Sequence, residues 1–336
     1  MKRRNVLTWT GGGGSLSTAF TMAEILLSLT IIGVVAAITL PSLTGNINER
    51  TWNTQRKALY ARMSQAIALM PALNGYGTLT EDASHSVTQD TAAETFVTAG
   101  LSKVLKINNI CDSKNIEDCG FVSKYTDMFA SKRDVPLDLV GLHSRFQYSF
   151  TETDGVTSRS IYVVNSKVAA FETANGESVL AYYNPSCIPE LGRGGLDDFA
   201  QQKICVNFVY DLNGNKGPNT IGKDMGIMSV FYPIDSIVVA PSVYTNMFSA
   251  VNQQEAGQKC RELDDDSRLP SLEEFMSISI NYFLLGLNGH TTKEEFWTSK
   301  ISNSSNGYVV HTTLGRVYSW IPRTATRAAM CVHRYD

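Results

Sequence analysis

The sequence has no Cys-x-x-Cys pair, no excess of positive charge and few histidines. Six cysteines are present, but their spacing disfavours zinc ribbons and thioredoxin-like redox sites. Lys and Arg number 29 against 32 Asp and Glu, a net charge of −3, which argues against binding nucleic acid by bulk electrostatics. The five histidines are scattered at 85, 143, 290, 311 and 333, and none forms H-E-x-x-H or a pair at helical ligand spacing. There is no G-x-S-x-G, no G-x-x-x-x-G-K-[ST] and no G-x-G-x-x-G behind a strand. Gly11–Gly14 has no strand before it and cradles no phosphate. The adjacent acids Glu273-Glu274 and Glu294-Glu295 point in different directions on any regular element, so they are not paired catalytic carboxylates. With no catalytic constellation, the chain reads as a non-enzyme. A hydrophobic content of 43% against 18% charged residues excludes wholesale disorder, and the length suits about two domains.

What is present begins at the N-terminus. Lys2, Arg3 and Arg4 precede a polar, Gly-rich stretch, and then FTMAEILLSLTIIGVVAAITLP runs from Phe20 to Pro41. Phe20 to Leu40 is 21 residues, about 30 Å of helix, the thickness of a bilayer core. The cations in front predict a cytoplasmic N-terminus with the bulk of the chain outside; an uncleaved signal anchor is the plainer alternative. Glu24 breaks the apolar run, and a carboxylate there needs a partner. A cut before Phe20 supplies one: a new α-amine four residues upstream, on the same or a neighbouring subunit.

After Pro41 the residues Trp52, Leu59, Met63, Ile67 and Met70 recur at helical spacing, predicting an amphipathic helix with Pro41 as a kink and Pro71 and Asn74-Gly75 as stops. A further helix-like segment precedes a hairpin with an Asp154-Gly155 turn, and strands follow near 163–171, 203–210 and 228–239. Helix first and then antiparallel sheet is α+β order. The stretch from Asp211 to Asp224, DLNGNKGPNTIGKD, is rich in oxygen donors. It reads either as a calcium loop using Asp211, Asn213, Asn215 and Asp224 or as a tight Asn-Gly turn after a strand; it lacks the EF-hand pattern. Sequential pairing of the cysteines, Cys111–Cys119, Cys187–Cys205 and Cys260–Cys331, keeps each loop within one structural unit, although the count alone leaves the connectivity open.

Ala19-Phe20-Thr21-Met22-Ala23-Glu24, the following apolar run and Pro41 resemble the N-terminal segment of type IV pilins and type II secretion pseudopilins. The resemblance implies a leader, 1–19, removed between Ala19 and Phe20 by a prepilin peptidase. It further implies N-methylation of Phe20, with Glu24 and Pro41 at the fifth and twenty-second mature positions. Ala19 stands where the family usually has Gly. Its partners would be the peptidase, other pilin or pseudopilin subunits and an assembly platform at the cytoplasmic membrane.

Further along, Arg268-Leu-Pro-Ser271 with Glu274, Trp297-Thr-Ser299 and Cys331-Val-His-Arg334 resemble a bacterial C-type-lectin-like module. That resemblance implies a Cys260–Cys331 bridge; the sugar-binding strings Glu-Pro-Asn and Trp-Asn-Asp are absent from the region. The expected architecture is therefore α+β: a transmembrane-plus-amphipathic helix over 20–70 with its span at 20–40, an antiparallel pilin-like head over 71–240, and a lectin-like module over 241–336. The expected role is a minor pilin-like subunit of a pilus or pseudopilus. The alternatives are a surface adhesin delivered by a pilin helix or a membrane-anchored ectodomain.

Overall fold

The structure, a computed structural model, describes residues 22–74, 92–112, 115–134, 147–151, 158–162, 168–183, 198–199, 204–231, 237–239, 242–263, 265–282, 284–287, 295–311 and 316–333. By its contacts the chain divides into two units, Met1–Arg50 and Thr51–Asp336.

Helix α1, Met22–Asn74, crosses that division in sequence. In its first part Ser28 Oγ donates to Glu24 O at 2.5 Å and Thr30 Oγ1 to Leu26 O at 2.7 Å, so both hydroxyls are absorbed by the helix itself. The transmembrane expectation for residues 20–40 is corrected here: among the described residues no helix is long and apolar enough to cross a membrane. The apolar stretch with described side chains, Met22 to Val35, rises about 21 Å, short of the roughly 30 Å of a bilayer core. Pro71 also fails to end the helix, which continues to Asn74; burial of Ile67 and Met70 just before it outweighs the one bond that proline cannot donate.

The described part of Thr51–Asp336 is dominated by sheet. The first sheet is an antiparallel meander of six strands in chain order: Ile107–Cys111 (β1), Ala169–Thr173 (β2), Ser178–Tyr183 (β3), Ile204–Asp211 (β4), Met225–Phe231 (β5) and Ile237–Val239 (β6). Strands β3, β4 and β5 are buried along their whole length, so the sheet is covered on both faces. The two-residue period divides its side chains. Val179, Ala181 and Tyr183 join Phe208 and Tyr210 in a core with Leu59, Met63, Ile67 and Met70 of α1. A short helical segment, Ala92–Thr95 continuing through Phe96–Gly100, packs on the same face, where Phe96 stacks on Tyr183 at 4.8 Å.

The other face of β3 presents Leu180 and Tyr182 to a second core. That core contains Phe275, Met276 and Ile278 of a helix at Leu272–Ile280, together with Phe296, Val310 and Met330. The last three belong to the second sheet, built from Ser242–Val251 (β7), Glu295–Ile301 (β8), Asn306–His311 (β9), Arg316–Pro322 (β10) and Arg327–His333 (β11) in the order β7-β11-β8-β9-β10. Its pairings are antiparallel except β8 with β11, which meet parallel at Phe296 and Ala328. The two-residue strand Asp198–Phe199 joins it beside β10, so chain that precedes the first sheet's β4 completes the second sheet. The sheet's remaining face holds Trp297, Val309, Ala329 and Cys331 against Ala256 and Cys260 of the helix Gln253–Leu263.

A buried polar cluster fixes the helix Leu272–Ile280 on the first sheet. Asn207 of β4 and Asn281 at the helix C-terminus exchange amide hydrogen bonds of 2.8 and 3.1 Å. Ser229 of β5 donates to Asn207 Oδ1 at 3.0 Å and lies 2.7 Å from Ser277 Oγ. All four residues are buried. Breaking one bond strands another group without water, so the cluster sets register more than it adds net stability.

Candidate functional site

The oxygen-rich segment forms the β4–β5 loop, at the edge of the first sheet's buried centre. β4 ends at Asp211 and β5 begins at Met225, directly opposite it in the ladder. Between them, Leu212 N donates to Asp224 O at 2.9 Å, which holds the two acidic residues side by side. A single turn of 3-10 helix follows at Gly214–Lys216. Gly214 has φ +61°, and a Cβ there would lie 3.3 Å from both Gly120 O and Ser178 Oγ; only glycine combines that dihedral with so close an approach.

Asp224 organises the loop's far side. Its Oδ2 accepts from Asn219 N and its Oδ1 from Thr220 N, both at 2.8 Å. Asn219 sits at φ +49°, a conformation that Asn tolerates better than most residues. Asp211 organises the near side: its Oδ1 accepts from Asn213 N at 3.1 Å, and Asn213 Nδ2 donates across the loop to Gly217 O at 2.8 Å. Asp211 and Asp224 are both fully buried. Burial, with a contribution from the neighbouring Asp224 carboxylate, pushes the Asp211 carboxyl up to about 7 against the pull of its backbone amide donors. Three oxygens in this loop are shielded from solvent and have no hydrogen-bond partner: Asp211 Oδ2, Asn213 Oδ1 and Asn219 Oδ1. Buried acceptors of this kind are rare, and three within nine residues mark the loop as chemically incomplete.

Arg56 of α1 braces the loop from behind. It is buried, and its guanidinium donates to Lys223 O at 2.5 Å, to Tyr210 Oη at 3.1 Å and to Asn53 Oδ1 at 2.6 Å. The donors go to the loop's outer carbonyl and to β4, so the cation secures the backbone.

The other residues singled out from the sequence fall as follows. Ala19 and Phe20 lie outside the described residues, as does Cys187. Glu24 stands exposed in the first turn of α1. Pro41 lies within α1, its side chain outside the described residues. Disulfides join Cys111 to Cys119 and Cys260 to Cys331, and Cys205 is disulfide-bonded as well. In the loop, Asn215 is exposed, whereas Asn219, which the spacing did not single out, supplies a buried oxygen. The missing signal is conformational: a left-handed Asn behind a proline is not visible as such in the sequence.

The Arg268-Leu-Pro-Ser271-x-x-Glu274 segment is a helix start. Ser271 caps the helix Leu272–Ile280, accepting from Glu274 N at 3.1 Å, while Glu274 Oε2 accepts from Ser271 N at 2.7 Å, a reciprocal capping box. Arg268 then grips the same carboxylate with two bonds of 2.7 and 2.6 Å. Trp297 is fully buried and donates Nε1–H to Val251 O at 2.9 Å. These side chains are consumed by the fold, leaving none of them to face a ligand. Neither a scan against protein-family models nor a search of the curated proteins finds a match to this chain.

Proposed function

We propose that the protein is a pilin-like structural subunit, processed between Ala19 and Phe20 and assembled with other subunits through the N-terminal part of α1. The observation that carries this reading is the continuous exposure of large apolar side chains there: Ile25, Leu26, Leu27, Leu29, Ile31, Ile32, Val34 and Val35 are 49–64% exposed. An uninterrupted apolar surface of that extent calls for a covering partner. Helices of neighbouring subunits supply one, and Glu24 at the start of α1 meets the new terminal amine of a neighbour. The disulfides support a location outside the reducing cytoplasm.

The test is the intact mass of the chain made with and without a co-expressed prepilin peptidase. A product starting at Phe20 and carrying one added methyl group is the expected result; a full-length chain beside an active peptidase overturns the reading. In the processed protein, Glu24→Ala is expected to abolish incorporation into filaments while the disulfide-bonded part of the chain remains folded.

A further inference from the structure

We infer that the β4–β5 loop is a calcium site, held by the side-chain oxygens of Asp211, Asn213 and Asn219 with Asp224 completing the charge. The three orphaned oxygens belong to one connected structure. Asn213 is tied to Asp211 through its backbone amide, Asn219 is tied to Asp224 in the same way, and Leu212 N binds Asp224 O. Each orphan is shielded from water, so solvent does not satisfy it. A hydrogen-bond donor from elsewhere in the fold is not at hand either: the nearby guanidinium of Arg56 is directed to Lys223 O, Tyr210 Oη and Asn53 Oδ1. What the loop lacks is a cation.

The donor chemistry selects the ion. All the candidate ligands are hard oxygens, two from neutral amides and the others from carboxylates, and two carboxylates match a charge of +2. Among the described residues no three His, Cys, Asp or Glu side chains gather as a metal cluster, which disfavours zinc and its relatives. Magnesium retains most of its water and demands octahedral order; calcium accepts six to eight oxygens, amide and carbonyl oxygens included, in irregular arrangements. A buried irregular loop is calcium's kind of site. The raised pKa of Asp211 is consistent with a carboxylate whose counter-charge is missing.

The site is independent of the filament proposal, because it resides wholly in the loop and is read on isolated protein. The experiment is calcium titration of the purified, chelator-stripped full chain, followed by calorimetry and by thermal unfolding. Calcium is expected to bind with one-to-one stoichiometry and to raise Tm by roughly 5 °C at about 100 times Kd, with a smaller shift from magnesium. Asp211→Asn and, separately, Asn219→Ala are expected to weaken calcium at least about tenfold; Asn215→Ala, on an exposed side chain, is expected to leave it unchanged. Asn219→Ala keeps both carboxylates and serves if the Asp211 variant fails to fold. Absence of calcium heat and of any Tm shift at millimolar ion overturns the inference. So does an Asn219→Ala protein that binds calcium like the parent, or a magnesium shift equal to that of calcium.

Discussion

Two stretches of α1 are comparably apolar and meet opposite fates. From Ile25 to Val35 the large apolar residues are exposed; from Leu59 to Met70, Leu59, Met63, Ala66, Ile67 and Met70 are at most 2% exposed. The difference lies in arrangement. The second stretch places its apolar residues on one stripe, with Arg62, Ser64 and Gln65 between them, and one stripe suffices to cover one face of a sheet. The first is apolar all round, and a helix apolar all round needs cover on every side. Hydrophobic content therefore says that a segment seeks burial, and periodicity says whether one neighbouring surface can provide it.

The most damaging way to break this contrast is Leu59→Asp. It places a carboxylate in a dry core and is expected to cost more than about 4 kcal/mol, unfolding the sheet region in urea as followed by tryptophan fluorescence. Next is Cys331→Ser, which opens a bridge between residues 71 apart in sequence and is expected to cost about 2–5 kcal/mol. Because residues of both sheets share one core, the loss should appear as a lower midpoint of a single transition. A separate early transition confined to the C-terminal sheet would show the two sheets to be energetically independent. A smaller effect is expected for Arg62→Ala, which removes the ion pair with the buried Glu177: about 1 kcal/mol by urea midpoint. Smallest in stability is Leu29→Asp, the counterpart of the first substitution in the exposed stretch. It is expected to change unfolding by less than about 0.5 kcal/mol and yet to prevent co-assembly in a filament assay. Equal damage from Leu29→Asp and Leu59→Asp would erase the distinction.

Much of the architecture was legible because it rests on local rules. The stripe Leu59–Met70, the Asn74 helix end, the hairpin Gln147–Thr151 with Ser158–Tyr162 and the strands around 204–211 follow from period and turn chemistry. The transmembrane expectation came from counting apolar residues, which does not by itself establish a span. The roles of Arg268, Ser271, Glu274 and Trp297 were invisible as structure, since a motif string does not reveal whether its side chains turn inward. Asn207 and Asn281 gave no signal, being 74 residues apart and meaningful only as a pair.

The candidate loop shows the same division most sharply. Sequence by itself determined that residues 211–224 form a turn-rich loop crowded with oxygen donors, because Asp, Asn, Gly and Pro dictate backbone geometry over a few residues. Only the tertiary structure decided which of those oxygens count. Burying Asp211 and Asp224 at the sheet's end, turning Asn219 inward and leaving Asn215 in water depend on β5 returning beside β4 and on Arg56 bracing the loop from α1. Desolvation is a property of everything packed around an atom, and no window of sequence contains it.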